Sequence, residues 1–243
     1  MDSPGNLDII IVGAGICALA RARQKLPKAT VAVFEKEESV GGTWTKNTYP
    51  GLSCDIPSQL YSYSFAPNPE WSTIYATQPE ILAYIKRVAS QFECSSHIHL
   101  KQVCTGAEWL DDEFLWRVHF VDKPSDRSYI RHSRFLITAA GFCDEPNGAE
   151  DIQGVQEFGG HVFHSARWDH PFDFRDKDVV VVGNGCSANQ PGCLRRIWGD
   201  DVTTAAAQLQ KPIFSPPGQN FISVEIVGNV KPIGITPLGL LVD

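Results

Sequence analysis

The sequence contains two glycine-rich stretches whose spacing suits them to bind the pyrophosphate of a dinucleotide. Each follows an apolar run, residues 9–12 and residues 179–182, and each has the pattern G-x-G-x-x-A. The fixed positions are Gly13, Gly15 and Ala18 in the first stretch and Gly183, Gly185 and Ala188 in the second. The first glycine permits a tight turn, the second lets the backbone approach the phosphates, and the small third residue lets the following helix pack on the strand. Two such stretches predict two nucleotide sites.

An acidic residue lies at the distance from the first turn that ribose binding requires. Glu35 follows the apolar run 30–34. It stands about 20 residues beyond Gly15, where a carboxylate can bind the hydroxyls of the adenosine ribose. Strand, turn, helix, strand and acid together predict a βαβ unit. The alternative is a glycine turn in an ordinary α/β domain, which the position of Glu35 disfavours.

A third motif lies between the two stretches, where residues 158–169 read FGGHVFHSARWD. It matches the pattern F-x-G-x-x-x-H-x-x-x-W-D through Phe158, Gly160, His164, Trp168 and Asp169. With the two glycine turns, this motif resembles the flavin-dependent Baeyer–Villiger monooxygenases. The resemblance covers residues 8–190, and the segments GGTW, YPGLSCDIPSQLYSYSF and QPEILAYI look most similar to the fungal secondary-metabolism members.

The resemblance implies a fold, two cofactors and a set of contacts. The fold is α/β, with a Rossmann-type FAD-binding domain that carries a small antiparallel meander, followed by the beginning of a second Rossmann-type domain for NADPH. Positions that match flavin contacts are Thr43, Trp44, Asp55, Ile56 and Tyr61. Positions expected to hold the NADPH pyrophosphate are Gly183, Asn184, Gly185, Cys186, Ser187, Ala188 and Asn189.

Three of the implied site residues are assigned a catalytic role. Asp55 would lie beside the isoalloxazine, although Asp55 taken alone is more typical of a turn or a helix cap. His164 and Trp168 would lie in the linker and act on turnover through cofactor positioning and domain movement. A simpler interpretation is also open, in which His164 bonds a backbone carbonyl and Trp168 fills a gap between domains.

Periodicity predicts the elements that must position these residues. Residues 37–44 lack periodicity and predict a loop over the nucleotide, whereas residues 79–92 predict a helix. The predicted buried face of that helix consists of Ile81, Leu82, Ile85, Val88 and Phe92. Strands are predicted at 97–103, 107–110, 114–121 and 128–138, with turns at 111–113 and near 124–126. The predicted domains are 1–145 for FAD, a linker at 146–175, the start of the NADP domain at 176–190, and an irregular tail at 191–243.

The resemblance disappears beyond Gln190. Pro191 falls inside the helix predicted to begin near Gly185, where proline removes a hydrogen bond and costs about 3 kcal/mol or more. Family members are longer, and they need an arginine, steered by the residue that Asp55 matches, in a part that has no counterpart here. We therefore expect the 243-residue chain alone to be inactive. We also expect it to associate with another chain through uncovered apolar surface.

Composition argues against several other classes of protein. The formal net charge of −7 argues against nucleic-acid binding, and no stretch approaches the roughly 18 apolar residues of a membrane span. With no leader pattern at residues 1–8, we expect a cytoplasmic protein. The seven cysteines include no C-x-x-C pair, which fits reduced thiols and predicts no metal site. Four further histidines are expected to be structural or solvent-facing: His97, His99, His119 and His132.

The implied function is an FAD- and NADPH-dependent monooxygenase of Baeyer–Villiger type. It would insert one oxygen atom of O2 next to a ketone carbonyl to give an ester or lactone, in secondary-metabolite biosynthesis. Two alternatives stay open, a flavin-containing N- or S-oxygenase and a truncated, non-catalytic member of the family. Asp169, directly after Trp168, favours the branch that oxidises ketones.

Overall fold

A computed structural model of the chain describes residues 6–14, 25–141, 146, 155, 158–174, 179–182, 186–190, 224–227, 234–235 and 241–242. The chain divides into two compact units. The first unit comprises Met1–Thr45, Ser58–Ile74 and Pro79–Cys143, and the second comprises Lys46–Pro57, Tyr75–Gln78 and Asp144–Asp243. The loop Lys46–Pro57 therefore belongs to the second unit, although the sequence places it inside the predicted FAD domain. The predicted domain boundary at residue 145 lies outside the described residues.

The first unit is built on a six-stranded sheet with the order β3-β2-β1-β6-β5-β4. Strands β1 (Leu7–Val12) and β2 (Val31–Phe34) are parallel, as the βαβ pattern predicted. The short strand β3 (Ile98–His99) pairs in parallel with β2, and β6 (Arg127–Thr138) pairs in parallel with β1. The parallel half of the sheet thus brings the carboxyl ends of β1 and β2 to one edge.

The antiparallel half of the sheet is the predicted meander. It consists of β4 (Gln102–Leu110), β5 (Leu115–Asp122) and β6, which continues from the meander into the parallel half. The turns predicted at 111–113 and near 124–126 are confirmed. The predicted strand 97–103 is wrong, because Lys101 adopts a φ of 60° and separates β3 from β4. Residues 107–110 are part of β4 and do not form a strand of their own.

The core of the first unit lies on both faces of β1 and β2. Ile9, Ile11, Val31 and Val33 pack on one face. Ile10, Ala32, Phe34, Val118 and Phe120 pack on the other, where the rings of Phe34 and Phe120 stack at 4.2 Å. Burial of each large apolar side chain contributes about 1.5–3 kcal/mol, so β1 and β2 form a stable base for the loops that follow them.

Two helices precede the meander. Helix α1 (Thr43–Lys46) begins within residues predicted as a loop, because the amides of Trp44 and Thr45 donate to the carbonyls of Gly41 and Gly42. Helix α2 (Gln78–Gln91) confirms the helix predicted at 79–92.

The buried face of α2 differs from the predicted one at three positions. Ile81, Ile85 and Val88 are buried as predicted, whereas Leu82 and Phe92 are only partly buried. The buried face also contains Tyr84, whose hydroxyl donates to the carbonyl of Ala66 at 2.9 Å and accepts from the amide of Tyr63 at 2.7 Å. Tyr84 therefore ties α2 to the irregular segment 58–74.

The second unit contains a three-stranded antiparallel sheet. Its order is β7 (His161–His164), β9 (Val224–Val227) and β8 (Val179–Val182), and a separate pair joins β10 (Gly234–Ile235) to β11 (Leu241–Val242). The tail predicted to be irregular thus supplies the central strand, β9, and the prediction did not include this strand. Helix α3 (Cys186–Asn189) follows β8. Within the described residues, no helix has the length and apolar character needed to cross a membrane.

Candidate functional site

The first glycine turn leaves β1 beside the end of β6. Gly13 has a φ of +101°, and a Cβ atom there would lie 2.4 Å from the carbonyl oxygen of Ala139. Its amide donates to the carbonyl of Phe34 at 2.8 Å. Only glycine fits both the backbone conformation and this close approach. Gly15 and Ala18 lie outside the described residues.

Glu35 lies next to this turn at the carboxyl end of β2. The side chain is 4% exposed, and its Oε2 atom accepts from the amide of Ala14 at 2.5 Å. Its Oε1 atom accepts from the amide of Glu37 at 2.9 Å. Each carboxylate oxygen has two lone pairs, so each retains one for a further donor such as a ribose hydroxyl. The position of Glu35 and its two acceptor oxygens therefore fit an adenosine ribose.

A second group of predicted flavin contacts meets within the first unit. The indole Nε1 of Trp44 donates to the hydroxyl of Tyr61 at 3.0 Å, and the two rings meet edge to face at 5.5 Å. Trp44 is 7% exposed, while Thr43 and Tyr61 are partly buried. The amide of Gly41 donates to the carbonyl of Ala14, which connects α1 to the first glycine turn. The structure thus brings Trp44 and Tyr61 together and links α1 to the turn.

Asp55 lies in the second unit, in a bend of the loop Lys46–Pro57. Its Oδ2 atom accepts from the thiol of Cys186 at 2.9 Å. The neighbouring Ile56 is 40% exposed. The hydrogen bond raises the pKa of the Cys186 thiol because it stabilises the protonated form next to a carboxylate, and partial burial adds to this effect. The predicted flavin-side acid and one predicted NADPH-side residue are therefore in direct contact.

The linker motif places His164 in a partly buried position. Its Nδ1 atom accepts from the amide of Ala166 at 3.0 Å, so the alternative in which His164 bonds a backbone carbonyl is wrong on this point. Among the described residues, Nε2 of His164 is the buried side-chain nitrogen or oxygen that has no hydrogen-bond partner. Burial lowers the pKa of His164, and the nearby positive charge of Arg167 lowers it further. The bond to Nδ1 therefore assigns the tautomer that carries its proton on Nε2, and the lowered pKa favours this neutral ring.

Trp168 is the centre of an aromatic cluster in the second unit. It is 8% exposed, and its ring contacts those of Tyr49, Phe163 and Phe174 at 6.5, 5.3 and 5.5 Å. Asp169 pairs with the Nε2 atom of His161 at 2.9 Å. Sequence reasoning missed Tyr49 and Phe174, since neither belongs to the motif.

The remaining motif positions and the second glycine turn are described only in part. Phe158 is partly buried and Gly160 is exposed. Gly183, Asn184 and Gly185 lie outside the described residues, as do the side chains of Ala188 and Asn189. Helix α3 ends at Asn189, before Pro191, which also lies outside the described residues.

At least three of the four other histidines have side-chain contacts, and the Nε2 atom of His119 lies 3.6 Å from a carboxylate oxygen of Glu108. The Nδ1 atom of His97 lies 3.1 Å from the carbonyl of Val31, and the ring of His99 stacks on Phe34 at 5.0 Å. Within the described part of the chain, no group of three or more histidine, cysteine or acidic side chains is arranged to hold a metal ion.

Comparison with known proteins identifies the family. Residues 7–193 match the model of the flavin-binding monooxygenase-like family. A Baeyer–Villiger monooxygenase of Streptomyces coelicolor is 36% identical over 187 residues, which cover 76% of this chain and 35% of the relative. The FAD-binding monooxygenase tazF of Aspergillus terreus is 34% identical over 193 residues, 77% of this chain and 34% of the relative.

Solved structures agree with the sequence comparison. An oxidised steroid monooxygenase bound to NADP superposes with a TM-score of 0.60 at 38% identity, covering 71% of this chain and 33% of that one. The matched part has the Rossmann-type fold of these enzymes, and the chain spans about a third of the length of the relatives it matches. The chain belongs to the flavin-binding monooxygenase-like family.

Proposed function

We propose that this chain is the FAD- and NADPH-binding part of a Baeyer–Villiger monooxygenase, which inserts one oxygen atom of O2 next to a ketone carbonyl to give an ester or lactone. The observation that carries the proposal is the linker motif, whose His164 and Trp168 are both ordered by local contacts in the second unit. Matches to named Baeyer–Villiger enzymes over three quarters of the chain support it.

In the first unit, FAD would be held by the first glycine turn and Glu35. Gly13 keeps the turn close to the end of β6, and Glu35 offers two carboxylate oxygens at the carboxyl end of β2. Ligands of parallel α/β sheets bind at this edge. Trp44 and Tyr61 would contact the flavin. The hydrogen bond between them fixes the two rings relative to each other.

In the second unit, NADPH would be held by the segment that contains Cys186 and Ser187. The hydroxyl of Ser187 accepts from Tyr49, which leaves its own proton for an acceptor such as a phosphate oxygen. The steroid monooxygenase that superposes on this chain is bound to NADP, which supports the assignment. We also propose that the linker transmits cofactor position through Trp168.

The two cofactors would supply the redox chemistry, since a reduced flavin activates O2 and NADPH provides the electrons. The residues of this chain would position the cofactors and stabilise the charge that develops during the reaction. Asp55 would orient a cation toward the developing negative charge, a contribution that is typically worth about 2.7–4 kcal/mol for a single donor. His164 would donate a hydrogen bond from Nε2 as a neutral ring, because burial opposes its protonation.

Three finer assignments complete the proposal. The similarity of segments such as YPGLSCDIPSQLYSYSF to fungal enzymes supports a substrate from secondary metabolism, and a FAD-binding relative is fungal. Seven cysteines without a C-x-x-C pair support the reducing conditions of the cytoplasm. Exposed apolar side chains on β6, with Phe135 at 59% and Ile137 at 42% exposure, support association with another chain or segment.

The test measures cofactor binding and products separately. The purified chain is titrated with FAD and NADPH, and it is assayed with cyclic and aryl ketones, alone and together with the remaining two thirds of a related enzyme. Ester or lactone formation supports the proposal. Nitrogen or sulfur oxides in place of esters would establish the heteroatom oxygenase. FAD binding without NADPH oxidation in either assay would establish a non-catalytic member.

A further inference from the structure

Three side chains at the start of α3 and just beyond it contact the loop that carries Asp55. We propose that Cys186, Ser187 and Gln190 are positioning residues for Asp55, and that they hold the loop Lys46–Pro57 on the segment 186–190, which begins within the second glycine-rich stretch. The inference rests on the proposed function only for the role of Asp55. The contacts themselves lie within the second unit and are independent of any cofactor.

Gln190 holds the middle of the loop in the manner of a neighbouring strand. Its side-chain Nε2 donates to the carbonyl of Ser53 at 2.7 Å, and its Oε1 accepts from the amide of Ser53 at 3.4 Å. Gln190 is 8% exposed. The other side of the same backbone pairs with residues 76–78, as in the bond from the amide of Gln78 to the carbonyl of Leu52 at 2.9 Å. Ser53 is therefore fixed from both sides.

Tyr49 holds the start of the loop. It is 5% exposed, its hydroxyl donates to the Oγ atom of Ser187 at 3.0 Å, and its ring lies against that of Trp168. One tyrosine thus connects the loop both to α3 and to the linker motif. Replacing Ser187 with alanine would remove the acceptor of this hydrogen bond, so the contact depends on an oxygen atom at position 187.

Cys186 contacts Asp55, near the end of the loop Lys46–Pro57. Its thiol donates to Oδ2 of Asp55, and both side chains are exposed to solvent. The titratable groups that face this thiol are Asp55 and the neighbouring Cys54, whose own pKa is raised by burial. Since Asp55 has this partner on α3, the position of its carboxylate depends on α3. Any displacement of α3 would therefore move Asp55.

The first experiment uses the thiol of Cys186 as a reporter of Asp55 in the full chain. The rate of alkylation by iodoacetamide is measured from pH 6.5 to 10.5 by peptide mass spectrometry, in the wild type and in Asp55→Asn. Loss of the carboxylate charge should shift the inflection for Cys186 to lower pH. Below that inflection the rate should rise roughly three- to fourfold per pKa unit, since the less basic thiolate is also less nucleophilic.

Two controls make this result specific. Cys104, whose pKa is raised by burial in the first unit, should show the same profile in both proteins. Asp112→Asn, an exposed acid in the β4–β5 turn, should leave Cys186 unchanged. Identical profiles for Cys186 in the wild type and Asp55→Asn would overturn the proposal.

The second experiment measures how far Gln190 stabilises the loop Lys46–Pro57, and it does not use the thiol of Cys186. Hydrogen exchange of the peptide 46–57 should be roughly 2- to 10-fold faster in Gln190→Ala, the change expected when a net hydrogen bond is lost from a local opening. The peptide 102–110 should be unchanged, as should both peptides in Gln91→Ala, a control at the exposed end of α2. Equal exchange of 46–57 in all three proteins would also overturn the proposal. If the alkylation profile of Cys186 and the exchange of peptide 46–57 both change as expected but the chain binds neither FAD nor NADPH, only the proposed function is refuted.

Discussion

Replacing Glu35 tests whether the first unit binds FAD through this carboxylate. Glu35→Ala removes two bonds to backbone amides, those of Ala14 and Glu37, and it removes the acceptor proposed for the ribose. A hydrogen bond to a charged group contributes about 1.5–3 kcal/mol. We expect the variant to lose about 2–4 kcal/mol of unfolding free energy, because solvent replaces part of the two bonds. We expect a further loss of about 1–3 kcal/mol in FAD binding, which is about 5- to 150-fold in Kd.

The assay must separate these two losses. FAD affinity is measured by fluorescence titration at a temperature at which thermal melting shows the variant to be folded. Glu35→Gln keeps the shape and one acceptor oxygen, so its loss of affinity should be smaller than that of Glu35→Ala. Glu38→Ala is the matched control, since Glu38 is an exposed acid on the same loop whose contact is an ion pair with Lys101 at 2.7 Å. A folded Glu35→Ala protein that binds FAD as tightly as Glu38→Ala would refute the assignment of the first site.

Three further predictions concern Gly13 and His164. Gly13→Ala should destabilise the protein by about 2 kcal/mol or more, because its Cβ would meet the carbonyl of Ala139 at a φ of +101°, whereas Gly106→Ala, with no atom within 4 Å, should melt like the wild type. Because burial lowers the pKa of His164, the unfolded chain takes up its proton first, and the unfolding free energy should fall as the pH drops below about 6.5. His164→Asn should show a smaller decline of the unfolding free energy in denaturant titrations at low pH. Part of the decline should persist in this variant, because burial also lowers the pKa of His99. An equal decline in the wild type and in His164→Asn would contradict the prediction. When residues 1–190 are joined to the rest of a related enzyme, His164→Ala should slow stopped-flow reduction of the flavin by NADPH at unchanged FAD content, and a chimera as fast as its parent would exclude this role.

Local sequence patterns predicted the elements whose causes are local. The strands β1 and β2, helix α2 and the turns of the meander follow from runs of apolar residues, helical spacing and turn residues, and the structure has them where they were predicted. The break at Lys101 was missed because a lysine in the left-handed region carries no sequence signal of the kind that glycine does. Tyr84 was missed on the buried face of α2 because its hydroxyl finds partners in a segment about 20 residues away.

The contacts of the loop Lys46–Pro57 could not be predicted because, as for Tyr84, the partners are distant in sequence. In this loop the separation is larger. Tyr49, Ser53 and Asp55 meet partners more than 130 residues further along the chain. Periodicity reports only neighbours within an element, so it assigned the loop to the unit that surrounds it in sequence. A signal was nevertheless present for Tyr49 and Gln190, because a polar side chain that is buried outside a regular element needs a hydrogen-bond partner.

The tautomer of His164 restricts what this residue can do, whatever its partner is. Its Nδ1 atom accepts from the amide of Ala166, so the proton of the neutral ring lies on Nε2, which is buried without an acceptor among the described residues. Protonation would place a second proton on Nδ1, opposite the amide that now donates to it, and burial opposes the charge as well. Burial and the bond from the amide of Ala166 therefore both disfavour the imidazolium form of His164. His164 is suited to donate one fixed hydrogen bond, which is the property that a positioning residue in a linker requires.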